Sequence, residues 1–276
     1  MVKYEKVIYP TDYHNTMVSI RDFFIKKGYV EAYTQGLRSI LAACEDPKTI
    51  STYKFSGIEF PLQQTSQMIL ELMLLEYKEL SGIFCSTTSY RDEPNPIEGR
   101  HDKIFNMTEF EHVGNFEDLI KTGIELTEHL GFNGYKRFTY QELSDHYGVK
   151  ELKAEHETKM WEEFGDVVII TDFPRFTSPF FNMSYKGDDI FNKADFIICG
   201  METFGTAERS SDVNQMKESF YTISDGEYSK ILFDRFGKDR VEEELNYYFS
   251  LPMRNRFGGG IGMSRLIKSL KLKKLI

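Results

Sequence analysis

One stretch constrains the fold of this chain more than any other: residues 82–114, which read GIFCSTTSYRDEPNPIEGRHDKIFNMTEFEHVG. Two apolar and aromatic segments, 83–90 and 104–113, flank a connection rich in Pro, Asn and Gly. This pattern predicts two antiparallel strands joined by a loop. Hairpin loops usually need about two to five residues, so a connection this long is more typical of a binding loop than of a spacer.

The loop is strongly charged, and its charged and titratable side chains include Arg91, Asp92, Glu93, Arg100, His101 and Lys103. The pattern suits a triphosphate, because guanidinium groups bind phosphate oxygens in a bidentate manner. It consists of an arginine at the end of the first strand, a carboxylate two residues later and an Arg-His pair just before the second strand. A solvated, charged loop without a ligand explains this stretch equally well when it is taken alone.

Composition limits the classes of protein that this chain can be. Its 276 residues are enough for one core, so we expect a single domain over 1–276 with a small insertion at about 132–165. Cys44, Cys85 and Cys199 lie far apart without a CxxC spacing, which favours a reducing, cytoplasmic location and argues against structural zinc. No apolar run approaches the roughly 20 residues of a membrane span. The net charge of −9 disfavours nucleic acid as the first partner without excluding a local basic patch.

Hydrophobic periodicity predicts helices and short strands in alternation. Helices are expected over 13–27, 63–82 with Thr65 or Ser66 as the N-cap, 115–130, 151–164, 212–223 and 238–249, and a helical turn around 38–43. Short strands are expected over 29–34, 53–55, 59–62, 167–171, 180–184, 194–199 and 202–207. This order predicts an α+β fold in which helices flank an antiparallel β-sheet.

A glycine run near the end of the sequence precedes an apolar helix. It comprises Gly258, Gly259, Gly260 and Gly262, and Arg265 follows in the first helical turn. Glycines permit close backbone approach and a helix N-terminus carries partial positive charge, so both features suit a nucleotide. Tight packing of a strand against a helix explains the glycines equally well.

A third group of polar residues lies in the segment ADFIICGMETFGTAERSSD. Asp195 and Glu202 could hold Mg²⁺ on a polyphosphate, since that ion prefers one or two carboxylates together with phosphate oxygens. Each acid could instead be an ordinary surface carboxylate. Arg209 ends a predicted strand and could be a binding residue, or part of an ion pair with Asp212 or with neighbours of Glu208.

Taken together and in order, these blocks resemble the class II aminoacyl-tRNA synthetases, and within them the aspartyl and asparaginyl branch. The resemblance covers roughly residues 63–270 and implies the class II catalytic-domain fold. The matching blocks are QQTSQMILE, SYRDE, RHDKIFNMTEFE, DFIICGMETFGTAER and GGGIGMSRL. SYRDE is similar to the family's second motif, and GGGIGMSRL to its third.

The resemblance implies a site for ATP and Mg²⁺. Arg91 would bridge the α-phosphate and the substrate carboxylate, and Glu93 would accept from the adenine amino group. The outer phosphates would be held by Arg100 and His101. The adenine would lie between Phe105 and Arg265, above a backbone that includes Gly260 and Gly262, and Asp195 and Glu202 would bind the metal.

The resemblance also implies an amino-acid site. Gln67, Glu109 and Glu111 would surround the substrate ammonium, and Arg209 would pair with its side-chain oxygen or carboxylate. Positioning and electrostatics carry such a reaction, so it needs no protein nucleophile.

Three positions depart from the family pattern. Gln35 stands where the first motif has proline, and Ser264 where the third motif has an acid. Aspartate-specific members have a lysine at the position of Leu70. Leucine there is similar to some asparaginyl enzymes. Nothing in the sequence resembles the branch's anticodon-binding domain, so we expect a free-standing relative of these synthetases.

These observations predict an ATP-dependent ligase that forms an aminoacyl-adenylate, acts on an aspartate- or asparagine-like amino acid and is a homodimer. The reaction we favour from sequence is asparagine-synthetase-like, in which aspartate, ammonia and ATP give asparagine, AMP and pyrophosphate. The alternative is a truncated asparaginyl- or aspartyl-like synthetase that transfers the activated amino acid to tRNA, a carrier or a protein. A third reading, a non-catalytic binding paralogue, is weakened because the ATP-site residues are present together.

Overall fold

The computed structural model describes residues 8–34, 38–40, 47–97, 100 and 102–276. Gln35, Cys44 and His101 lie outside the described residues, as does half of the helical turn expected at 38–43; its described part, 38–40, is not helical. The helices are α1 (Pro10–Lys26), α2 (Gln67–Glu76), α3 (Phe116–His129), α4 (Tyr140–Tyr147), α5 (Ala154–Phe164), α6 (Val213–Thr222), α7 (Glu227–Phe236), α8 (Lys238–Ser250) and α9 (Met263–Leu272).

The strands are β1 (Val30–Glu31), β2 (Thr52–Phe55), β3 (Ile58–Pro61), β4 (Gly82–Tyr90), β5 (Ile104–Val113), β6 (Lys136–Thr139), β7 (Val167–Pro174), β8 (Tyr185–Gly187), β9 (Ile190–Ile198), β10 (Met201–Arg209) and β11 (Arg256–Gly262). The main sheet has the order β1-β4-β5-β11-β10-β9-β7-β6, and β8 pairs with β9. All of its pairings are antiparallel except β1 with β4 and β6 with β7. The predicted antiparallel sheet with flanking helices is confirmed.

The predicted central hairpin is formed by β4 and β5. Their register pairs Cys85 with Glu109 and Tyr90 with Ile104, and it continues past the strand ends because the Arg91 N–H donates to the Lys103 carbonyl at 2.7 Å. The smaller hairpin, β2 with β3, also forms as expected about a turn at Ser56. Both hairpins follow from the alternation of apolar and polar residues along each strand and from the turn residues between the strands.

The glycine run forms strand β11 in the middle of the sheet. A Cβ atom on Gly258 would lie 2.1 Å from Glu111 Oε1 and 2.4 Å from the Phe110 carbonyl oxygen, so only glycine fits there. The strand passes directly into α9, which places Arg265 in the first helical turn. The glycines therefore leave the part of the sheet between β5 and β10 almost without side chains.

One face of the sheet is covered by a hydrophobic core. Helices α1, α3 and α9 supply Phe24, Leu119 and Leu266 to this core, which also contains Phe110 of β5 and Phe196 of β9. Because side chains alternate along a strand, the neighbours of Phe110 point to the opposite face. That face carries the polar residues of the predicted site.

Residues 132–165 extend the edge of the main sheet. Strand β6 pairs in parallel with β7, and α4 and α5 pack against β7 through a cluster that includes Leu143, Met160 and Ile170. The helix expected at 151–164 is present as α5, whereas α4 and β6 were not expected from the sequence. The division of the chain into one domain with an insertion stays a prediction.

Three local predictions need correction. The strand expected at 180–184 is wrong, since Met183 makes only an isolated bridge to Arg209; Phe181 instead packs in a second core with Phe220 and Tyr248. The strand expected at 29–34 is limited to β1. Helix α7 was missed because the kink with left-handed φ at Ser224 and Asp225 separates it from α6.

Of the helices that the structure describes, none combines the length and apolarity needed to span a membrane.

Candidate active site

A cleft with about 710 Å³ of solvent-open space lies on the polar face of the sheet. It is bordered by the start of the charged loop and by β5, β10, β11 and α9. Eight of the residues predicted from sequence line it: Arg91, Glu93, Arg100, Phe105, Glu202, Gly260, Gly262 and Arg265. The structure thus brings together side chains that are up to 174 positions apart, the separation of Arg91 and Arg265.

Arg91 and Phe105 form one wall of the cleft. The guanidinium carbon of Arg91 lies 5.3 Å from the centroid of the Phe105 ring, which is cation–π geometry. Arg91 Nε is buried and has no hydrogen-bond partner among the described residues. A buried donor of this kind needs an acceptor, and a phosphate or carboxylate oxygen in the cleft would supply one.

Arg265 also lines the cleft. Its Nη1 donates to the Glu202 carbonyl oxygen at 2.7 Å, and its Nε donates to the Arg100 carbonyl oxygen at 3.1 Å. These two bonds fix the guanidinium plane, because the fork geometry of arginine leaves little freedom once two donors are engaged.

Arg100 lines the cleft, and its guanidinium is hydrogen-bonded to neighbouring protein groups. Its Nη1 lies 3.4 Å from Glu157 Oε2, and its Nη2 donates to Thr158 Oγ1 at 3.3 Å and to the Gly200 carbonyl oxygen. The Glu157 carboxylate also accepts the main-chain N–H of Glu202 at 2.8 Å. Glu157 was not singled out from sequence; its position in α5 gives no local sign of a contact 45 residues away.

Asp195 and Glu202 lie on the same face of the sheet, since Glu202 pairs with Ile197, two residues from Asp195. Glu202 borders the cleft, and Asp195 is buried opposite Gly205, which also borders it. Burial raises the pKa of the Asp195 carboxyl, and the nearby Glu202 raises it further. Asp195 Oδ1 has no partner in the described part of the chain.

Lys193 is a neighbour that the sequence analysis missed. Its Nζ lies 2.6 Å from Asp195 Oδ2 and 3.9 Å from the centroid of the Phe173 ring. One sign of this contact was available in the sequence: Lys193 and Asp195 are two residues apart in a strand, so their side chains point to the same face. No group of three or more side chains arranged for a metal is found among the described residues. Two acids and phosphate oxygens nevertheless suit Mg²⁺, and the unpartnered Asp195 Oδ1 with the cleft-facing Glu202 fits that donor set.

The residues predicted to bind the amino-acid substrate lie beside the cleft and are buried. Glu109 accepts hydrogen bonds from the Thr65 hydroxyl and from the Ser66 N–H, the latter at 2.7 Å. Burial raises the pKa of Glu109 to about 7, although these hydrogen bonds oppose the shift. A Cβ atom on Gly260, in the floor of the cleft, would lie 3.3 Å from Gln67 Nε2, so Gln67 connects the buried residues to the cleft.

Arg209 is held by the other predicted pocket residues. Its Nη2 donates to Glu111 Oε1 and to Gln67 Oε1, each at 2.6 Å. Burial raises the pKa of Glu111, while the Arg209 guanidinium lowers it. Arg209 is thus part of an ion pair, as one of the two alternatives from sequence had it, and its partner is Glu111; Asp212 caps helix α6.

A second buried ion pair extends this network. Glu71 Oε2 accepts from Arg256 Nη2 and from the Tyr248 hydroxyl, each at 2.8 Å. Glu71 Oε1 accepts from Asn182 Nδ2 at 2.6 Å. Sequence reasoning missed these residues. The available signal for Glu71 was that it follows Gln67 by one helical turn; the position of Arg256 opposite Arg209 is set by the sheet register.

The arrangement combines an open, arginine-walled cleft with a buried pocket of paired charges. The cleft can take an anionic, partly aromatic ligand between Arg91, Phe105 and Arg265. The pocket offers the Glu109 carboxylate to an ammonium group and a network of hydrogen-bonding groups to a polar side chain. Together they suit a nucleotide and an amino acid placed end to end.

The fold and the residues of this site are those of the class II synthetase family. The chain matches the family described as tRNA synthetases class II (D, K and N) over residues 12–276 and belongs to it. The resemblance stated from sequence is confirmed at the level of the family.

Particular relatives lie in the aspartate and asparagine branch. The chain is 24% identical over 225 residues to the aspartate–tRNA(Asp/Asn) ligase of Methanopyrus kandleri, covering 69% of this chain and 50% of that protein. It is 22% identical over 298 aligned positions to the aspartate–tRNA(Asp/Asn) ligase of Archaeoglobus fulgidus, covering 93% of this chain and 63% of that protein.

A solved structure of asparaginyl-tRNA synthetase from Pyrococcus horikoshii, complexed with asparaginyl-adenylate, has a TM-score of 0.77 to this chain. The identity is 18%, and the match covers 94% of this chain and 64% of that chain. The asparaginyl-tRNA synthetase from Entamoeba histolytica has a TM-score of 0.74 at 17% identity, covering 96% and 65%. These likenesses confirm the fold. The chain spans about half to two thirds of the length of these relatives.

Proposed function

We propose that this protein uses MgATP to activate an amino acid of the aspartate and asparagine class as its adenylate. The observation that carries the proposal is the buried Nε of Arg91, which has no hydrogen-bond partner among the described residues, in a cleft that Arg265 also lines. Its floor at Gly260 adjoins the pocket of Gln67. An anion bound by Arg91 there would lie at the junction between a nucleotide and an amino acid.

In this proposal the protein acts by positioning and by charge. Arg91 neutralises the α-phosphate and the substrate carboxylate as the carboxylate oxygen attacks phosphorus and pyrophosphate leaves. Phe105 and Arg265 hold the adenine from its two sides, and Glu93 accepts from its amino group. Glu109, with Glu111 and Gln67 near it, binds the substrate ammonium. Magnesium held by Asp195 and Glu202 would neutralise charge on the phosphate oxygens.

Two acceptors for the activated amino acid are proposed. Transfer to tRNA, a carrier or a protein is supported by the relatives, which are named as ligases of aspartate and tRNA. Asparagine-synthetase-like amide formation from aspartate and ammonia is the second candidate, supported by the placement of the Arg209 guanidinium in the pocket, where it could face a carboxylate. In both cases AMP is the nucleotide product.

Amino-acid-dependent exchange of pyrophosphate into ATP tests the activation step. We expect exchange with aspartate or asparagine and a loss of at least about 100-fold in Arg91→Ala, because a charged hydrogen-bonding group at the reacting atoms is removed. Arg21→Ala is the matched control, since that side chain is 46% exposed in a surface ion pair. ATP binding without exchange for any amino acid would contradict activation and favour a non-catalytic paralogue.

Product analysis separates the acceptors. Asparagine and AMP formed from aspartate, ammonium and MgATP would support amide synthesis. Release of AMP only when tRNA, a carrier or a protein is added would support transfer.

A homodimer is also proposed. The outer side of α1 and the edge strand β1 expose Val18, Ile25 and Val30, and Tyr33 beyond them is 81% exposed. Such an apolar edge is suited to a two-fold contact with a second copy. Light scattering of the purified protein should give about twice the monomer mass of 32.3 kDa, and the monomer mass would contradict this.

A further inference from the structure

The buried pocket beside the cleft contains two ion pairs in which each guanidinium faces a carboxylate. Arg209 pairs with Glu111 at 2.6 Å and Arg256 pairs with Glu71 at 2.8 Å, and each of these four side chains is at most 1% exposed. Each guanidinium therefore already has a carboxylate, and Glu109 adds a further acid next to them. A negatively charged substrate side chain entering this network would add an uncompensated charge away from water, which is costly.

Asn182 gives this network a second property. It is fully buried, and its Nδ2 donates to Glu71 Oε1 at 2.6 Å. An ionised carboxylate only accepts hydrogen bonds, so this contact fixes the orientation of the amide. Asn182 Oδ1 is then an acceptor with no partner in the portion of the chain that the structure describes. Buried polar atoms are normally paired, so this oxygen indicates a missing donor.

Asn182 is connected to the substrate pocket through Glu71 and Arg209. Glu71 Oε1, which receives the Asn182 bond, lies 3.6 Å from Arg209 Nε. The segment of Asn182 also adjoins that of Arg209, because the Ser210 N–H donates to the Asn182 carbonyl at 2.8 Å. The unpartnered oxygen therefore belongs to the same buried network as the residue that reads the substrate side chain.

We propose that the pocket selects an amino acid whose side chain ends in a neutral carboxamide, asparagine being the shortest, over the corresponding carboxylate. The inference rests on the proposed activation of an amino acid. A carboxamide nitrogen can donate to Asn182 Oδ1, whereas a carboxylate has no proton to donate there. A neutral side chain also leaves the two buried ion pairs balanced. Asparagine as substrate would favour transfer to an acceptor over the synthesis of asparagine from aspartate.

The test compares asparagine with aspartate in pyrophosphate exchange and, independently, in equilibrium binding by calorimetry. We expect kcat/KM for asparagine to exceed that for aspartate by roughly 100-fold or more, since a pocket built around a hydrogen bond rejects the analogue that lacks it. A preference for aspartate would overturn this inference while leaving the proposed function intact. Absence of exchange and of binding for every amino acid would reject the proposed function itself.

The contribution of Asn182 is tested with Asn182→Leu, with the exposed Asn246→Leu as the matched control. Asn182→Leu should raise KM for asparagine roughly tenfold or more, with a smaller effect on aspartate, so that the ratio of the two kcat/KM values falls. A merely structural role would change the melting temperature without changing this ratio, and that result would overturn the role of Asn182. If Asn182→Leu does not fold, the ratio of the asparagine and aspartate kcat/KM values in the unaltered protein still decides the proposal.

Discussion

Arg265 in the first turn of α9 donates a hydrogen bond from Nη1 to the main-chain oxygen of Glu202 in β10, at 2.7 Å. Its Nε reaches the main-chain oxygen of Arg100 at 3.1 Å. One side chain therefore connects the charged loop, the strand of a predicted metal ligand and the last helix. The guanidinium of Arg265 therefore both lines the cleft and holds the main chain at Glu202.

Replacing Arg265 should weaken ATP binding. We expect Arg265→Ala to raise KM for ATP roughly 10- to 100-fold, the effect of losing charge-assisted hydrogen bonds, and Arg265→Lys to recover little because an ammonium cannot reproduce the planar fork. Steady-state exchange kinetics measure the change. Lys268→Ala, exposed on the same helix, is the control, and unchanged ATP kinetics in Arg265→Ala would show that this side chain does not contact the nucleotide.

Glu157 should act as a positioning residue. Its carboxylate accepts the Glu202 N–H at 2.8 Å and faces Arg100 Nη1 at 3.4 Å. We expect Glu157→Ala to raise the Mg²⁺ concentration for half-maximal exchange roughly tenfold and to lower the free energy of unfolding by about 1–2 kcal/mol. Glu155→Ala, at a side chain that is 71% exposed, should change neither quantity. A loss of stability with an unaltered Mg²⁺ requirement would leave Glu157 a purely structural role.

Lys193 and Asp195 should be energetically coupled. Lys193 Nζ lies 2.6 Å from Asp195 Oδ2, and the Asp195 side chain is 8% exposed. Removing Lys193 leaves a buried carboxylate unpaired, so Lys193→Met should destabilise the protein by about 1–3 kcal/mol. The double variant Lys193→Met, Asp195→Asn should be less destabilised than the sum of the single variants in denaturant unfolding. Additive effects would show that the pair contributes no coupling.

Buried Glu109 should make the unliganded protein less stable as pH rises from about 4.5 to 7. Burial raises the pKa of Glu109 from 4.5 to about 7, so the folded protein binds more protons than the unfolded chain between these values. Its contribution to stability is full below the unfolded pKa, is lost as pH rises through the folded pKa, and is of order 3 kcal/mol. Denaturant unfolding across this range should show a flatter profile for Glu109→Gln than for the exposed Glu128→Gln. Identical profiles would contradict the shift.

Two glycines of β11 should respond differently to alanine. A Cβ on Gly258 would lie 2.4 Å from the Phe110 main-chain oxygen, which cannot move aside, so Gly258→Ala should destabilise the fold by about 1–3 kcal/mol or more. A Cβ on Gly260 would meet the flexible end of Met107 at 2.4 Å, so Gly260→Ala should keep the fold and weaken ligand binding in the cleft. Melting temperature and ATP affinity measure the two effects. Equal loss of stability in both variants would disprove this distinction.

The sequence determined most of the elements of the structure and eight of the residues that line the cleft. The hairpin of β4 and β5 follows from alternation over neighbouring residues, and helix α3 follows from its apolar periodicity and its Asn115 cap. Arg91, Glu202 and Arg265 were singled out because charge and glycine patterns at the ends of local elements are visible without a fold, and the family resemblance added Phe105.

Only the tertiary structure decided which charges meet. Glu71 and Arg256 are 185 positions apart, and Asn182 reaches Glu71 across 111, so no local pattern pairs them. Lys193 and Glu157 were not singled out from sequence; strand register and helix packing place them beside Asp195 and Glu202. The physical reason is range: periodicity and turn chemistry act between neighbours in sequence, whereas the balance of buried charge depends on groups that become neighbours only when the sheet has formed.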